Sequence, residues 1–211
     1  MKTRARILQK TLELINSNGP TALRIEDLSH SLKLSPGNIT YYFPKKGDIL
    51  EGVADLCRNE ILAITEGVDW AEMTMDSYFK YYQKITKTQW AYRGSLLYSM
   101  AQINPTKRGR KADQQGLEYY YSKFNEVYAE MRKSGLMNEV SSDELLRLRD
   151  QNFLVMTTWM IQYIPYEAKS KDRATFNYYA YIGVKCYEPY LTEEGTGQLK
   201  AIAEKYGHRP F

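Results

Sequence analysis

The sequence predicts an all-α protein, on three observations. Apolar residues recur every three to four positions along almost all of the 211 residues, the spacing of one buried helix face. No stretch alternates apolar and polar residues over a useful length, so no strand is predicted. Stop signals separate the periodic stretches: Asn18-Gly19-Pro20, Pro44, Asn104-Pro105, Ser134-Gly135, Pro165 and Glu194-Gly195.

Ile7, Leu8, Thr11, Leu12 and Ile15 mark the first helix, which Asn18-Gly19-Pro20 ends. Ile25, Leu28 and Leu32 mark a second, short helix. Lys33-Leu34-Ser35 is too short for anything but a tight turn. Ser35 and Pro36 then open a third helix. The serine can cap free amides, and proline at the first helical position gives up no needed donor. Ile39 and Phe43 share one face of this helix, and Pro44 closes it. A fourth helix begins near Lys46 and carries Ile49, Leu50, Val53, Leu56, Ile61 and Leu62. Residues 66–76 break the period and read as a joint. Further helices are expected over roughly 76–90, 91–103, 111–134, 142–164, 171–190 and 193–205. The predicted organisation is a three-helix amino-terminal domain over 1–47, joined through the fourth helix to a larger helical bundle domain over 48–211.

Composition narrows the function. With 43% hydrophobic and 26% charged residues, the chain is not a disordered polymer. No apolar run approaches the ~18 to 20 residues of a membrane span, so no membrane partner is expected. The start, MKTRARILQK, lacks the apolar segment of a signal peptide, and a cytoplasmic location is expected. Cys57 and Cys186 are too few for a disulfide scaffold, and His30 and His208 leave little for a metal centre. Neither a metal nor a cofactor is expected. The net charge of +4 is unevenly spread. Residues 1–46 hold eight Lys/Arg against three acids, while the remainder holds 21 bases and 22 acids. A basic end on a near-neutral body fits an anionic partner there, and equally a merely solvated amino terminus. Tyrosine is skewed the other way: of 19, only Tyr41 and Tyr42 precede residue 47.

Three short helices, with a three-residue turn between the second and third, follow the helix-turn-helix plan. In it the third helix enters the DNA major groove while the second crosses the backbone. Leu28, Leu32, Leu34, Ile39 and Phe43 are expected to bury themselves and fix the angle between the helices. Gly37, Asn38, Thr40 and Tyr41 are then left outward, toward base edges and phosphates. Lys45 and Lys46 stand at the start of the next helix, where side chains and free amides can hold a phosphate.

Residues 6–50, RILQKTLELINSNGPTALRIEDLSHSLKLSPGNITYYFPKKGDIL, resemble the DNA-binding domain of TetR-family transcriptional regulators. The run from Leu34 to Lys46, with Leu50 after it, follows the family's recognition-helix pattern almost position by position. The rest of the chain is similar to the family in helix number, size and order. The resemblance implies a homodimer, an operator of approximate two-fold symmetry, and a helical carboxy-terminal domain that binds a small organic effector whose arrival releases DNA. It puts Arg24 close to DNA at the entrance of the second helix, and Ser35, Pro36, Gly37, Asn38 and Thr40 on the recognition element. Tyr41 and Tyr42 fall where members contact phosphate or bases, and Lys46 matches a phosphate-binding lysine. Three positions depart from the pattern. Arg24 replaces a capping Thr or Ser, a loss of about 1 kcal/mol. Thr40 replaces a tyrosine and shortens the reach. Gly47 replaces an acid and weakens the start of the fourth helix.

The resemblance also implies dimerisation through the last long helices. Residues 142–164 offer Leu145, Leu148, Val155, Met156, Trp159 and Tyr163; residues 171–190 offer Phe176, Tyr179, Ala180, Gly183, Cys186, Tyr187 and Tyr190. The same periodicity fits a stripe of the chain's own core. An effector pocket is expected among the helices between 76 and 164. Its candidates are Tyr81, Trp90, Tyr98, Gln102, Tyr120, Phe124, Asn152, Met156 and Trp159, mostly apolar with a few polar groups. Such a lining would suit a flat or amphipathic organic molecule. The basic run Lys107-Arg108-Gly109-Arg110-Lys111 is expected to be a solvated loop or a helix start.

Two other classes compete with a ligand-responsive repressor. An enzyme would need a glycine-rich phosphate loop, an HExxH motif or a Ser/His/Asp or Cys/His group, and the sequence offers none. A helix-turn-helix protein acting through protein contacts, without effector response, would have a filled carboxy-terminal core.

Overall fold

The computed structural model describes residues 2–71, 73–101, 107–164 and 172–208. Its α-helices are α1 (Thr3–Asn18), α2 (Ile25–Leu32), α3 (Pro36–Tyr42), α4 (Lys46–Glu66), α5 (Met75–Ala91), α6 (Arg93–Ala101), α7 (Lys107–Lys133), α8 (Ser142–Tyr163), α9 (Asp172–Lys185) and α10 (Glu193–Tyr206). Among the described residues the only β pairing is an isolated bridge between Met137 and Leu191. The all-α expectation holds, and the joint expected over 66–76 lies between α4 and α5. The last long helix expected over 171–190 ends earlier, at Lys185, and a short 3-10 turn follows at Glu188–Tyr190. The basic run at 107–111 is the first turn of α7 rather than a loop.

The chain forms two compact units, residues 1–63 with 88–114, and residues 64–87 with 115–211. They do not follow the cut predicted between 47 and 48. The first unit takes in most of α4, all of α6 and the start of α7, because α6 packs on α1. A Cβ at Gly94 would lie 2.6 Å from the Ile15 carbonyl oxygen, so only glycine permits that approach. Asn16 secures the same contact. Its Nδ2 donates to the Ala91 carbonyl at 2.7 Å, and its Oδ1 accepts from the Gly94 amide at 2.9 Å.

The first unit's core is aliphatic: Ile7, Leu8, Leu12, Ile15, Leu23, Leu28, Ile39, Ile49, Leu50 and Val53, with Phe43 the single buried aromatic of the cluster. Leu32 and Leu34, expected inside, are half-buried at its edge with Tyr92 and Tyr98. The turn between α2 and α3 closes through Lys33, whose φ of 55° is left-handed. The Leu34 amide donates to the Ser29 carbonyl at 3.1 Å, which satisfies one of the last carbonyls of α2.

The second unit is built on aromatic residues. Tyr78, Phe79, Tyr82, Phe124, Trp159, Tyr163, Tyr179 and Tyr187 are all buried. Helix α8 opens on a capping box: the Ser141 side chain accepts from the Glu144 amide, and the Glu144 carboxylate accepts from the Ser141 amide. A Cβ at Gly183 would come 2.6 Å from the Met156 sulfur and 2.8 Å from the Tyr82 ring, so α9 lies hard against α5 and α8.

That packing corrects the expected dimer stripe. Tyr179, Ala180, Gly183 and Tyr187 of the α9 segment are buried in the chain's own core, and Phe176 is half-buried beside Trp159. On α8, Leu148, Met156, Trp159 and Tyr163 are buried in the same way. The opposite face of α8 carries Leu146, Leu154 and Ile161, which are 48%, 60% and 55% exposed.

Candidate nucleic-acid interface

Helix α3 is only seven residues long, so its position depends on anchors at both ends. At the start, Ser35 accepts from the Asn38 amide through its side chain at 3.1 Å. At the end, the Phe43 amide donates to the Ile39 carbonyl at 3.0 Å. Ile39 is fully buried, and Phe43 is 3% exposed. Those two side chains lock one face of α3 into the aliphatic core and leave the other outward.

The outward face carries the sequence candidates. Ser35, Pro36, Gly37, Asn38, Thr40, Tyr41 and Tyr42 are all exposed, and Tyr41 is 82% exposed. The Tyr41 and Tyr42 rings meet edge to face with centroids 5.2 Å apart, forming one aromatic projection. Thr40 does not reach outward as a donor. Its hydroxyl lies 3.2 Å from both the Pro36 and the Gly37 carbonyl oxygens, so its proton is held within the helix.

Cations frame this face. Arg24 stands at the N-cap of α2 and makes no capping hydrogen bond, as its replacement of Ser or Thr leads one to expect. Lys46 donates to the Thr21 carbonyl at 3.2 Å, so its ammonium bridges the start of α4 and the turn after α1. The Lys45 amide donates to the Asp48 carboxylate at 2.9 Å. Asp48 thus supplies the acid that Gly47 lacks. Two cations outside the expected set stand here too. Arg4 places its guanidinium over the Phe43 ring, 5.1 Å from the centroid, and Arg6 donates to the Leu32 carbonyl at 3.4 Å. His30 is exposed on α2.

Several charges elsewhere in the unit are paired. Arg108, in the first turn of α7, meets Asp55 and lies 3.9 Å from Glu51. Arg58 lies 2.6 Å from Asp55 and 3.6 Å from Asp113. Cations in a first turn oppose the helix dipole, and α7 has no acid there of its own, so acids from α4 offset the cost. By contrast, Arg4, Arg24, Lys33 and Lys45 form no ion pair among the described residues. Cys57, buried on α4, has its thiol pushed up to about 12 by loss of solvation, which keeps it protonated and inert.

The effector candidates divide between the units. Trp90 and Tyr98 belong to the first, Trp90 beneath the Arg93 guanidinium and Tyr98 half-buried against the helix-turn-helix core. Gln102 lies outside the described residues. Trp159 stacks among Tyr163, Phe176 and Tyr179. Tyr81 pairs its hydroxyl with Thr65 at 3.2 Å and its ring with Trp70 at 5.2 Å.

Asn152 is the hub of the second unit. Its Oδ1 accepts from Tyr82 at 2.6 Å and from Tyr120 at 3.1 Å, and its Nδ2 donates to the Gly183 carbonyl at 2.9 Å. The Tyr78 hydroxyl lies 3.0 Å from that of Tyr82 and 2.6 Å from that of Tyr187. A phenol has one proton. Since Tyr82 gives its own to Asn152, Tyr78 must donate to Tyr82 and Tyr187 to Tyr78. Burial pushes all three phenols well above their usual range, so they stay neutral. Phe124 stacks on Tyr187, and Met156 reaches the position that a Gly183 side chain would fill. Tyr78 and Tyr82 were not among the sequence candidates. Their four-residue spacing was the available signal, and plain core packing explains that spacing equally well.

Comparison with known proteins identifies the fold's family. The profile TetR, described as bacterial transcriptional repressor, matches residues 58–199. The profile TetR_N, bacterial regulatory proteins of the tetR family, matches residues 7–53. A TetR-family transcriptional regulator from Marinobacter aquaeolei VT8 is similar over 98% of this chain and 99% of its own, with a TM-score of 0.87 at 23% identity. A transcriptional regulator from Saccharomonospora viridis, solved in complex with choline, covers 90% of this chain and 98% of its own, with a TM-score of 0.64 at 18% identity. Mycobacterium smegmatis AmtR covers 100% of this chain and 97% of its own, with a TM-score of 0.63 at 14% identity. Comparison with curated protein sequences gives no match. The chain therefore belongs to the TetR family of bacterial transcriptional regulators, which act by binding DNA and not as enzymes.

Proposed function

We propose that this regulator is a repressor that binds an imperfect palindrome as a homodimer and is released by a small organic effector. The observation that carries the reading is α3: a short helix locked on one face by Ile39 and Phe43, with Gly37, Asn38, Tyr41 and Tyr42 left exposed on the other. Asn38 and the two tyrosines would read base edges, with Gly37 letting the backbone approach. Arg24, Lys45 and Lys46 would hold phosphates, together with Ser35 and Pro36 at the helix start. Thr40 has its hydroxyl committed to the helix, so its contribution would be its methyl group.

For the homodimer, the support is Leu146, Leu154 and Ile161. They lie seven or eight residues apart on the side of α8 opposite its buried face, a stripe suited to a second copy of the same helix. For the effector, the support is the tyrosine and asparagine cluster around Asn152, whose buried polar groups are all uncharged. That chemistry favours a neutral, flat or amphipathic molecule over one held by ion pairs.

The test is selection of bound genomic fragments by the purified protein at moderate salt. Recovery of a palindrome, lost on Asn38→Ala or Tyr42→Ala with the melting temperature unchanged, is the expected outcome. Sequence-blind binding that is insensitive to both substitutions would overturn the reading. Sedimentation of Leu154→Asp should show a monomer where the wild type is a dimer.

A further inference from the structure

We infer that Arg4 is a DNA-phosphate contact, added to the binding face from outside the helix-turn-helix itself. The inference rests on the DNA-binding reading above. Its first ground is geometry. The guanidinium lies over the Phe43 ring, and Phe43 is the C-cap of α3, one residue after Tyr42. Arg4 is exposed, so the stacked plane leaves its edge N–H groups facing solvent beside the end of the recognition helix.

The second ground is electrostatic. The first turn of α1 carries Arg4 and Arg6 and no acid. Cations there oppose the helix dipole by a few tenths of a kcal/mol each. The same unit meets this problem at α7, where Arg108 is matched by Asp55 and Glu51 of α4. No acid is set against Arg4. The stack on Phe43 accounts for where the guanidinium sits but leaves its charge unmatched. A polyanion docked on the α3 face would supply the missing negative charge, and a planar fork held on an aromatic ring suits a phosphate's two oxygens.

The experiment uses the full-length protein and two 30-base-pair duplexes, one A·T-rich and one G·C-rich. Binding is followed across salt concentrations for wild type, Arg4→Lys and Arg4→Met. Methionine keeps apolar cover on Phe43 without charge; lysine keeps the charge without the planar stack. A phosphate contact predicts that Arg4→Met lowers the slope of log K against log salt by about 0.9 and weakens binding about fivefold to tenfold at 0.1 M salt. The loss should be equal on both duplexes, and Arg4→Lys should retain most of the slope. An unchanged slope for Arg4→Met would overturn the inference. So would a loss confined to the A·T-rich duplex, which would assign Arg4 to the minor groove. A wild type that binds neither duplex would remove the DNA-binding reading itself, a result distinct from a silent Arg4 variant.

Discussion

The two units solve the problem of a core in different ways. Around α1 to α4 the buried groups are mostly branched aliphatics, and the buried Thr11 hydroxyl is bonded to the Ile7 carbonyl of its own helix. Around α5, α7, α8 and α9 the buried groups are largely aromatic, and the hydroxyls of Tyr187, Tyr78 and Tyr82 form a row that ends on Asn152. An aliphatic core holds helices by shape and loses stability in proportion to the volume removed. A phenolic core holds them by bonds that must all be satisfied together, because an unpaired buried hydroxyl costs more than a paired one contributes.

The sharpest way to separate the two is alkaline titration. Tyr78, Tyr82 and Tyr187 have native values raised well above 10.0, so the folded state holds their protons more tightly than the unfolded chain. Their stabilisation is complete below pH 10 and is lost as pH rises beyond it, at about 1.4 kcal/mol per phenol per pH unit. Phenolate absorbance should therefore appear together with the loss of helical circular dichroism. The first unit adds two such groups, Cys57, raised from 9.0 to about 12, and Tyr92, raised from 10.0 to about 12, each contribution lost between its two values. Gradual phenolate formation in an intact fold would contradict the phenolic-core account.

Next in size is Asn152→Leu, which removes the acceptor of Tyr82, one of the two acceptors within reach of Tyr120 (the other is the Arg149 carbonyl), and the partner of Gly183. A loss of about 3 to 5 kcal/mol is expected by chemical denaturation. Combined with Tyr187→Phe, the losses should fall short of additive by about 1 kcal/mol, since both sit on one chain of hydrogen bonds. In the aliphatic core, Ile39→Ala should cost about 2 to 4 kcal/mol. It should add with distant changes in the second unit, and strong coupling would break the comparison. Smallest is Ser35→Ala, about 1 kcal/mol from loss of the cap on α3, read in the same denaturation series.

Local features were legible in the sequence and distant ones were not. Ser35-Pro36 named the start of α3, and Pro44 its end, because capping and proline sterics act within a few residues. The helix-turn-helix face followed from two side chains, Ile39 and Phe43. The inclusion of α6 in the first unit was not legible, since it depends on Gly94 touching Ile15 about eighty positions away. The α8 stripe misled for a different reason. Periodicity shows that Leu148, Met156, Trp159 and Tyr163 share a face, but it carries nothing about whether that face meets the same chain or another. The exposed residues Leu146, Leu154 and Ile161 repeat just as regularly. Tyr187 was assigned to an interface on the same logic, while its hydroxyl in fact starts the chain that ends at Asn152.

That chain has a sense of direction. Reading from Tyr187 through Tyr78 and Tyr82 to the amide oxygen, every phenolic proton is already given away. What remains on the oxygens is lone pairs. Were the effector proposed above to meet Tyr187 without breaking the row, it would have to bring its own N–H or O–H, and a ketone or an ether has none to give.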